Sequence, residues 1–155
     1  MILPATVKSF EDLYNQGYDK EYPSIELVRI HKSILVKNFK TLLDFGSGHG
    51  ANGLHFVKHG FDVTFCDISK KAVDYSKKKV RKFSKKANYI HLKNYNQIKT
   101  KNFDVIVCMS VVNNLHSFKE MEKLIKIFYK ILNNKGFLIL DTNYIKNNYK
   151  ILKKI

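Results

Sequence analysis

TLLDFGSGHGANG, residues 41–53, decides how the rest of this chain is read. Leu42, Leu43 and Phe45 make a short apolar strand, which runs into glycines at 46, 48, 50 and 53 and then into a helix. Glycines spaced in this way let the backbone turn tightly and approach a ligand with no side chain in between. The helix that follows aims its free N–H groups at the same point. Asp67 lies about 20 residues beyond the loop, where folds of this kind set an acid on ribose hydroxyls. A glycine loop followed by such an acid predicts a nucleotide site.

Working outward, strand and helix signals alternate along the chain. Ser24 caps a helix with Ile25, Val28, Ile34 and Leu35 on its apolar face. Strand one is Thr41–Phe45, and a helix runs from Ala51 to His59, closed by Gly60. Phe61–Cys66 is strand two, followed by a lysine-coated helix over Ser69–Lys82 with Ser69 as its cap. Asn88–Leu92 and Phe103–Met109 are further strands. Ser117 opens a long helix with Met121, Leu124, Ile125, Phe128 and Leu132 inward, Asn133–Gly136 is a turn, and Phe137–Asp141 is the last strand. The strands are continuous apolar runs, which marks a parallel sheet covered on both faces. The expectation is α/β: a Rossmann-like doubly wound sheet of about five strands in order 3-2-1-4-5, with the ligand crevice at the ends of strands one, two and four. One domain spans 1–155: an N-terminal cap segment and helix (1–36), the core (41–142) and a C-terminal helix (143–155). Residues 1–23 show no clear periodicity, although they carry Phe10, Tyr14, Tyr18 and Tyr22.

The 155 residues are 45% hydrophobic and 26% charged, the composition of a globular domain. Apolar runs are too short to span a membrane, and the N-terminus lacks the layout of a signal peptide. Cys66 and Cys108 read as buried reduced thiols of a cytoplasmic protein. The net charge of +15 is nearly all lysine. Arg29 and Arg81 are the only arginines, so the bidentate contacts typical of base recognition are scarce and a dedicated nucleic-acid function is disfavoured.

The loop parses in two ways. Gly46-x-Gly48-x-x-Ala51 fits a relaxed dinucleotide fingerprint, a weak signal alone. Gly46-x-Gly48-x-Gly50 with Asp44 before it fits a cofactor with a positive end, such as the amine and sulfonium of S-adenosylmethionine (SAM). LLDFGSGHG followed by VTFCDIS resembles the first two motifs of class I (Rossmann-like) SAM-dependent methyltransferases. FDVIVCMSVVNNL and KILNNKGFLIL are similar to that family's fourth- and fifth-strand segments, so the resemblance covers about residues 24–142.

The resemblance implies that Asp44 and the backbone of Gly46, Ser47, Gly48 and Gly50 hold the methionine part of SAM. It puts Asp67 on the ribose and Ile68 against adenine. Asn94 and the backbone of Tyr95 would read the adenine edge, Met109 would lie by the methionine portion, and Arg29 would face its carboxylate. The demethylated product is S-adenosylhomocysteine, and the donor requires no metal. The family sheet carries two further strands after the fifth, which this sequence is expected to lack. The open edge of strand five then calls for a homodimer, a partner chain or the tail helix.

Methyl transfer is an in-line displacement governed mostly by positioning, with a general base helping when the acceptor is a hydroxyl. His116 is the candidate base, set against the plain alternative of a surface histidine. His49 reads as lining the cofactor rim. His55 and His59 share a helix face but lack the Glu of a zinc-protease motif, so they read as surface or structural. Tyr14, Tyr18 and Tyr22 read as core residues ahead of a lid. The strand-four end lacks an Asn/Asp-Pro-Pro-aromatic stretch, and Cys108 lacks a preceding proline, which leaves a small-molecule acceptor for O- or N-methylation. Two alternatives stay open: a truncated or partner-dependent SAM-binding protein without its own activity, and an NAD-binding oxidoreductase, which Asp44 disfavours.

Overall fold

The computed structural model describes residues 4–35, 37–84, 86–99, 101–142 and 149–153. Chain order is α1 (Pro4–Asn15), α2 (Ile25–Leu35), β1 (Thr41–Phe45), α3 (Ala51–Val57), β2 (Asp62–Asp67), α4 (Lys70–Val80) and β3 (Asn88–His91). It continues with β4 (Phe103–Cys108), α5 (Phe118–Ile131), β5 (Leu132–Asp141) and β6 (Tyr149–Lys153). The sheet order is β3-β2-β1-β4-β5-β6. Its first five strands are parallel, which is the doubly wound arrangement expected from the apolar runs.

Successive residues of each central strand feed opposite cores, as a pleat requires. Leu43, Phe45, Ile106 and Cys108 face α5, where Leu124, Phe128 and Ile131 are buried. Leu42, Val63, Phe65, Val105 and Val107 face the other way, onto Leu27 and Ile34 of α2 and Phe56 of α3. Each of these side chains contributes about 1.5–3 kcal/mol by leaving water. Ser69 and Ser117 cap their helices as expected, accepting from the Ala72 and Glu120 N–H groups, whereas the Ser24 hydroxyl accepts from Lys20 Nζ. At the base of the sheet, Asp104 of β4 staples three strands together. Its carboxylate accepts from the backbone N–H groups of Lys40 and Thr41, the Thr41 hydroxyl and the Asn133 amide.

Two expectations are corrected. The tail, read as a helix over 143–155, instead places Tyr149–Lys153 as β6, antiparallel to β5. Residues 143–148 and 154–155, Tyr144 and Ile155 among them, lie outside the described residues. The physical reason is the edge itself: β5 offers a row of open backbone groups, and strand pairing there outweighs the helical spacing of a short segment. One of the two strands expected to be missing is thus present, and β6 takes the position assigned to a partner chain or tail helix. The second correction is α1. It forms within a stretch read as aperiodic, where Phe10 and Tyr14 stand one helical turn apart.

Candidate active site

A cleft of about 300 Å³ opens at the C-terminal ends of β1, β2 and β4. That size suits a small-molecule site. One wall is the sheet edge, built from Gly46, Ser47 and Gly48 after β1, Asp67 and Ile68 at the end of β2, and Met109 after β4. Gly46 has φ 70° and Gly48 φ 51°, a left-handed backbone that disfavours any side chain. A Cβ on Gly46 would stand 2.2 Å from Val111 Cγ2, so the loop is also sterically sealed against substitution.

Three carboxyl groups around this loop behave differently. Asp67 lines the cleft, 6% exposed. Its Oδ2 accepts from the Gly48 N–H at 2.8 Å and its Oδ1 from the Ser69 N–H at 2.8 Å. Burial raises its pKa against the pull of those donors. Asp44 does not reach the cleft surface. It lies 1% exposed beneath the loop, where Oδ2 accepts from the Gly53 N–H at 2.8 Å, and burial pushes its pKa up to about 7. By that bond it seats the first turn of α3, set back from the cleft lining where a direct hold on a ligand was expected. Glu120, from the first turn of α5, reaches the cleft and accepts from the His116 N–H at 3.1 Å.

Ser47 Oγ and His49 Nε2 are buried polar atoms with no hydrogen-bond partner, and both residues line the cleft. Buried groups of this kind are normally paired, and here two lie within one glycine loop. His49 is held between the rings of Tyr14 and Tyr75, at 4.6 and 4.5 Å between centroids. Its Nδ1 meets Asp19 Oδ1 at 2.9 Å, and Lys79 closes on the same carboxylate at 3.2 Å. Asp19 is correspondingly held below the usual carboxylate range by the His49 and Lys79 hydrogen bonds, against the opposing effect of its burial.

The opposite wall is α1 and the turn after it, with Phe10, Leu13, Tyr14 and Tyr18 facing the loop. The Tyr14 hydroxyl stands 3.0 Å from where a Gly48 Cβ would lie. Burial and then the nearby Asp67 charge raise the pKa of the Tyr14 phenol, which stays protonated. Glu11 ties α1 to the head of α4 by accepting from Ser69 Oγ at 2.8 Å. The reading as core residues holds for Tyr14, which is buried and lines the cleft as well; Tyr18 and Tyr22 are exposed, Tyr18 lining the cleft and Tyr22 outside it. The available signal was the four-residue spacing of Phe10, Tyr14 and Tyr18.

Other expected residues divide in the same way. Tyr95 and His116 line the cleft. Gly50 sits behind the loop against Ser76 and Phe65, and only its backbone turn serves the site. Asn94 is exposed outside the cleft, its side chain accepting from the Asn96 N–H to cap its own 3-10 turn. Arg29 lies exposed on α2 and does not line the cleft. Ser110, at the end of β4, has φ 58° and is clamped by hydrogen bonds from its N–H and hydroxyl to Asp141. Strain of this kind costs about 1–3 kcal/mol and persists where surrounding contacts enforce it.

The methyltransferase-domain family matches residues 43–138, more than half of the chain. The chain belongs to that family. Solved structures share its fold. The N-methyltransferase NodS from Bradyrhizobium japonicum WM9, in complex with S-adenosyl-L-homocysteine, aligns with a TM-score of 0.69 at 20% identity, over 87% of this chain and 71% of its own. Magnesium protoporphyrin IX methyltransferase from Synechocystis PCC 6803, with bound SAM, gives 0.66 at 18% identity, over 81% of this chain and 60% of its own. A SAM-dependent methyltransferase from Clostridium acetobutylicum ATCC 824 gives 0.68 at 19%, over 88% and 55%. No curated protein sequence matches the chain significantly. Among the described residues, no helix is long and apolar enough to cross a membrane.

Proposed function

We propose that the domain binds SAM in the cleft and transfers its methyl group to the oxygen or nitrogen of a small-molecule acceptor. The observation that carries this reading is the pair of unpartnered buried atoms, Ser47 Oγ and His49 Nε2, in a glycine loop beside Asp67. They fit a ligand with both a polar amino-acid end and a ribose. In this reading the backbone of Gly46–Gly48 and the Ser47 hydroxyl take the methionine end, and Asp67 takes the ribose hydroxyls through lone pairs its backbone donors leave open. Ile68 and Tyr95 flank the base, and Met109 lies along the thioether chain. SAM, when bound, supplies an activated methyl carbon.

The chain's own residues then do the positioning. The α1 wall of Phe10, Leu13, Tyr14 and Tyr18 excludes water and confines the acceptor, which is where most of the rate advantage of such a transfer arises. His116 is the proposed base for a hydroxyl acceptor, with Glu120 fixing the loop that carries it. A contribution of about 10²-fold is the scale for such a base. The unpaired buried thiols Cys66 and Cys108 support a cytoplasmic setting.

Calorimetric titration with SAM, S-adenosylhomocysteine and NAD tests the reading. Binding of the first two with no response to NAD is expected, and indifference to both sulfur nucleosides overturns it. With a turned-over acceptor in hand, His116→Gln should lower kcat by about 10²-fold with S-adenosylhomocysteine affinity unchanged. Cofactor binding without turnover on any hydroxyl or amine acceptor would reduce the proposal to a binding module.

A further inference from the structure

Away from the cleft lining, three histidines converge. His31 comes from α2, His55 from α3 and His59 from the turn that follows α3. One ligating nitrogen from each lies within 4.8 Å of the others, and among the described residues this is the one such grouping. The ring centroids are 4.7, 4.1 and 4.8 Å apart. We propose that His31, His55 and His59 bind a divalent transition-metal ion of the zinc type, joining α2 to the far end of the helix that carries the glycine loop.

The hydrogen bonds already present favour ligation. His59 Nδ1 lies 2.7 Å from the His55 carbonyl oxygen. A carbonyl only accepts, so the ring proton is on Nδ1 and the Nε2 lone pair is exposed for a metal. A second ring nitrogen donating to a carbonyl is the usual way a metal-binding histidine is oriented. His55 Nε2 and His31 Nδ1 face each other at 2.9 Å. Two neutral imidazoles at that distance share one proton, and a metal ion takes its place once the donor ring carries its proton on the other nitrogen. Zinc–nitrogen bonds of about 2.0–2.1 Å put tetrahedral ligands roughly 3.3 Å apart, so this pair must open slightly and His59 must close in.

The donor set narrows the ion. Imidazole nitrogens suit zinc, cobalt, nickel and copper, and not calcium or magnesium, which take oxygen ligands. Three protein ligands leave a fourth position for water or an anion. The site is separate from the methyl-transfer reading and stands or falls without it. Its effect is mechanical, because α2 and α3 are otherwise tied at their starts by the Ser24 N–H donating to Asn52 Oδ1 at 2.9 Å.

The test uses the untagged, chelator-treated chain, titrated with Co²⁺ and then Zn²⁺ while visible absorption and heat are followed. One Co²⁺ per chain with the intense bands of a four-coordinate site, displaced by Zn²⁺, is expected, together with a higher melting temperature. His59→Ala removes the most exposed of the three rings and should weaken binding about tenfold or more and erase the bands. His31→Gln should do the same, and circular dichroism reports whether each variant is folded. Weak binding at many sites, no saturable binding, or affinity unchanged in both variants overturns the proposal.

Discussion

The two ends of the central sheet hold carboxylates in opposite conditions. At the base, Asp104 accepts four hydrogen bonds, from two backbone N–H groups, a hydroxyl and an amide. Its carboxyl lies below the usual range: burial pushes it up, and the donors more than compensate. At the mouth, Asp44 is more deeply buried and has a single backbone donor from Gly53, and burial drives it up to about 7. Asp67 accepts from backbone N–H groups, those of Gly48 and Ser69 at 2.8 Å, and is raised as well, again by burial. A saturated carboxylate holds a structure together. An under-satisfied buried one is costly, and it is tolerated where a ligand or a loop geometry makes use of it.

The sharpest way to break this contrast is to remove one acid from each end. Asp67→Ala leaves the Gly48 and Ser69 N–H groups unpaired and deletes the proposed ribose acceptor. It should weaken S-adenosylhomocysteine binding by ~100-fold or more, read by calorimetry. Asp104→Ala should do the reverse, lowering stability by roughly 2–3 kcal/mol in urea melts with affinity unchanged. Comparable binding losses from the two variants would erase the distinction.

The pH profile sharpens it. A carboxyl whose folded pKa stands above its unfolded value near 4 stabilises fully below that value, and the benefit is lost as pH rises towards the folded value. Asp44 thus makes the domain lose stability between about pH 4 and pH 7, with Asp67 adding in the same direction. Asp104 has the opposite sign, its contribution being lost only below about pH 4 as the carboxylate is protonated. Asp44→Asn should therefore flatten the neutral limb, so that its stability relative to the parent rises by at least ~1 kcal/mol from pH 4 to pH 8. The smallest effects belong outside the cleft: Arg29→Ala should leave cofactor affinity within about twofold, and Asn94→Ala should cost only the ~1 kcal/mol of a cap.

Much of the sheet-edge wall was legible in the chain. The glycines at 46 and 48, Asp67, and the caps Ser69 and Ser117 each depend on local backbone geometry that only a few residue types supply. The opposite wall was not. The four-residue spacing of Phe10, Tyr14 and Tyr18 marks a helical face but not what it meets, because the partners of Tyr14, Gly48 and His49, lie over thirty residues away. The same holds for Asp44, whose type and place were evident while its direction, towards Gly53 and away from the cleft, was not.

Local rules thus gave the strands and helices of the core, the loop and the acid that follows it, because period, glycine and cap chemistry act within a few residues, and general crossover rules then ordered the strands. Packing across the chain decided three other things: β6 rather than a tail helix, α1 as the cleft's second wall, and the meeting of His31 with His55 and His59. Each of these joins groups distant in sequence. The free energy that selects them, whether edge pairing, aromatic burial or shared imidazole contacts, exists only once the sheet has brought them together.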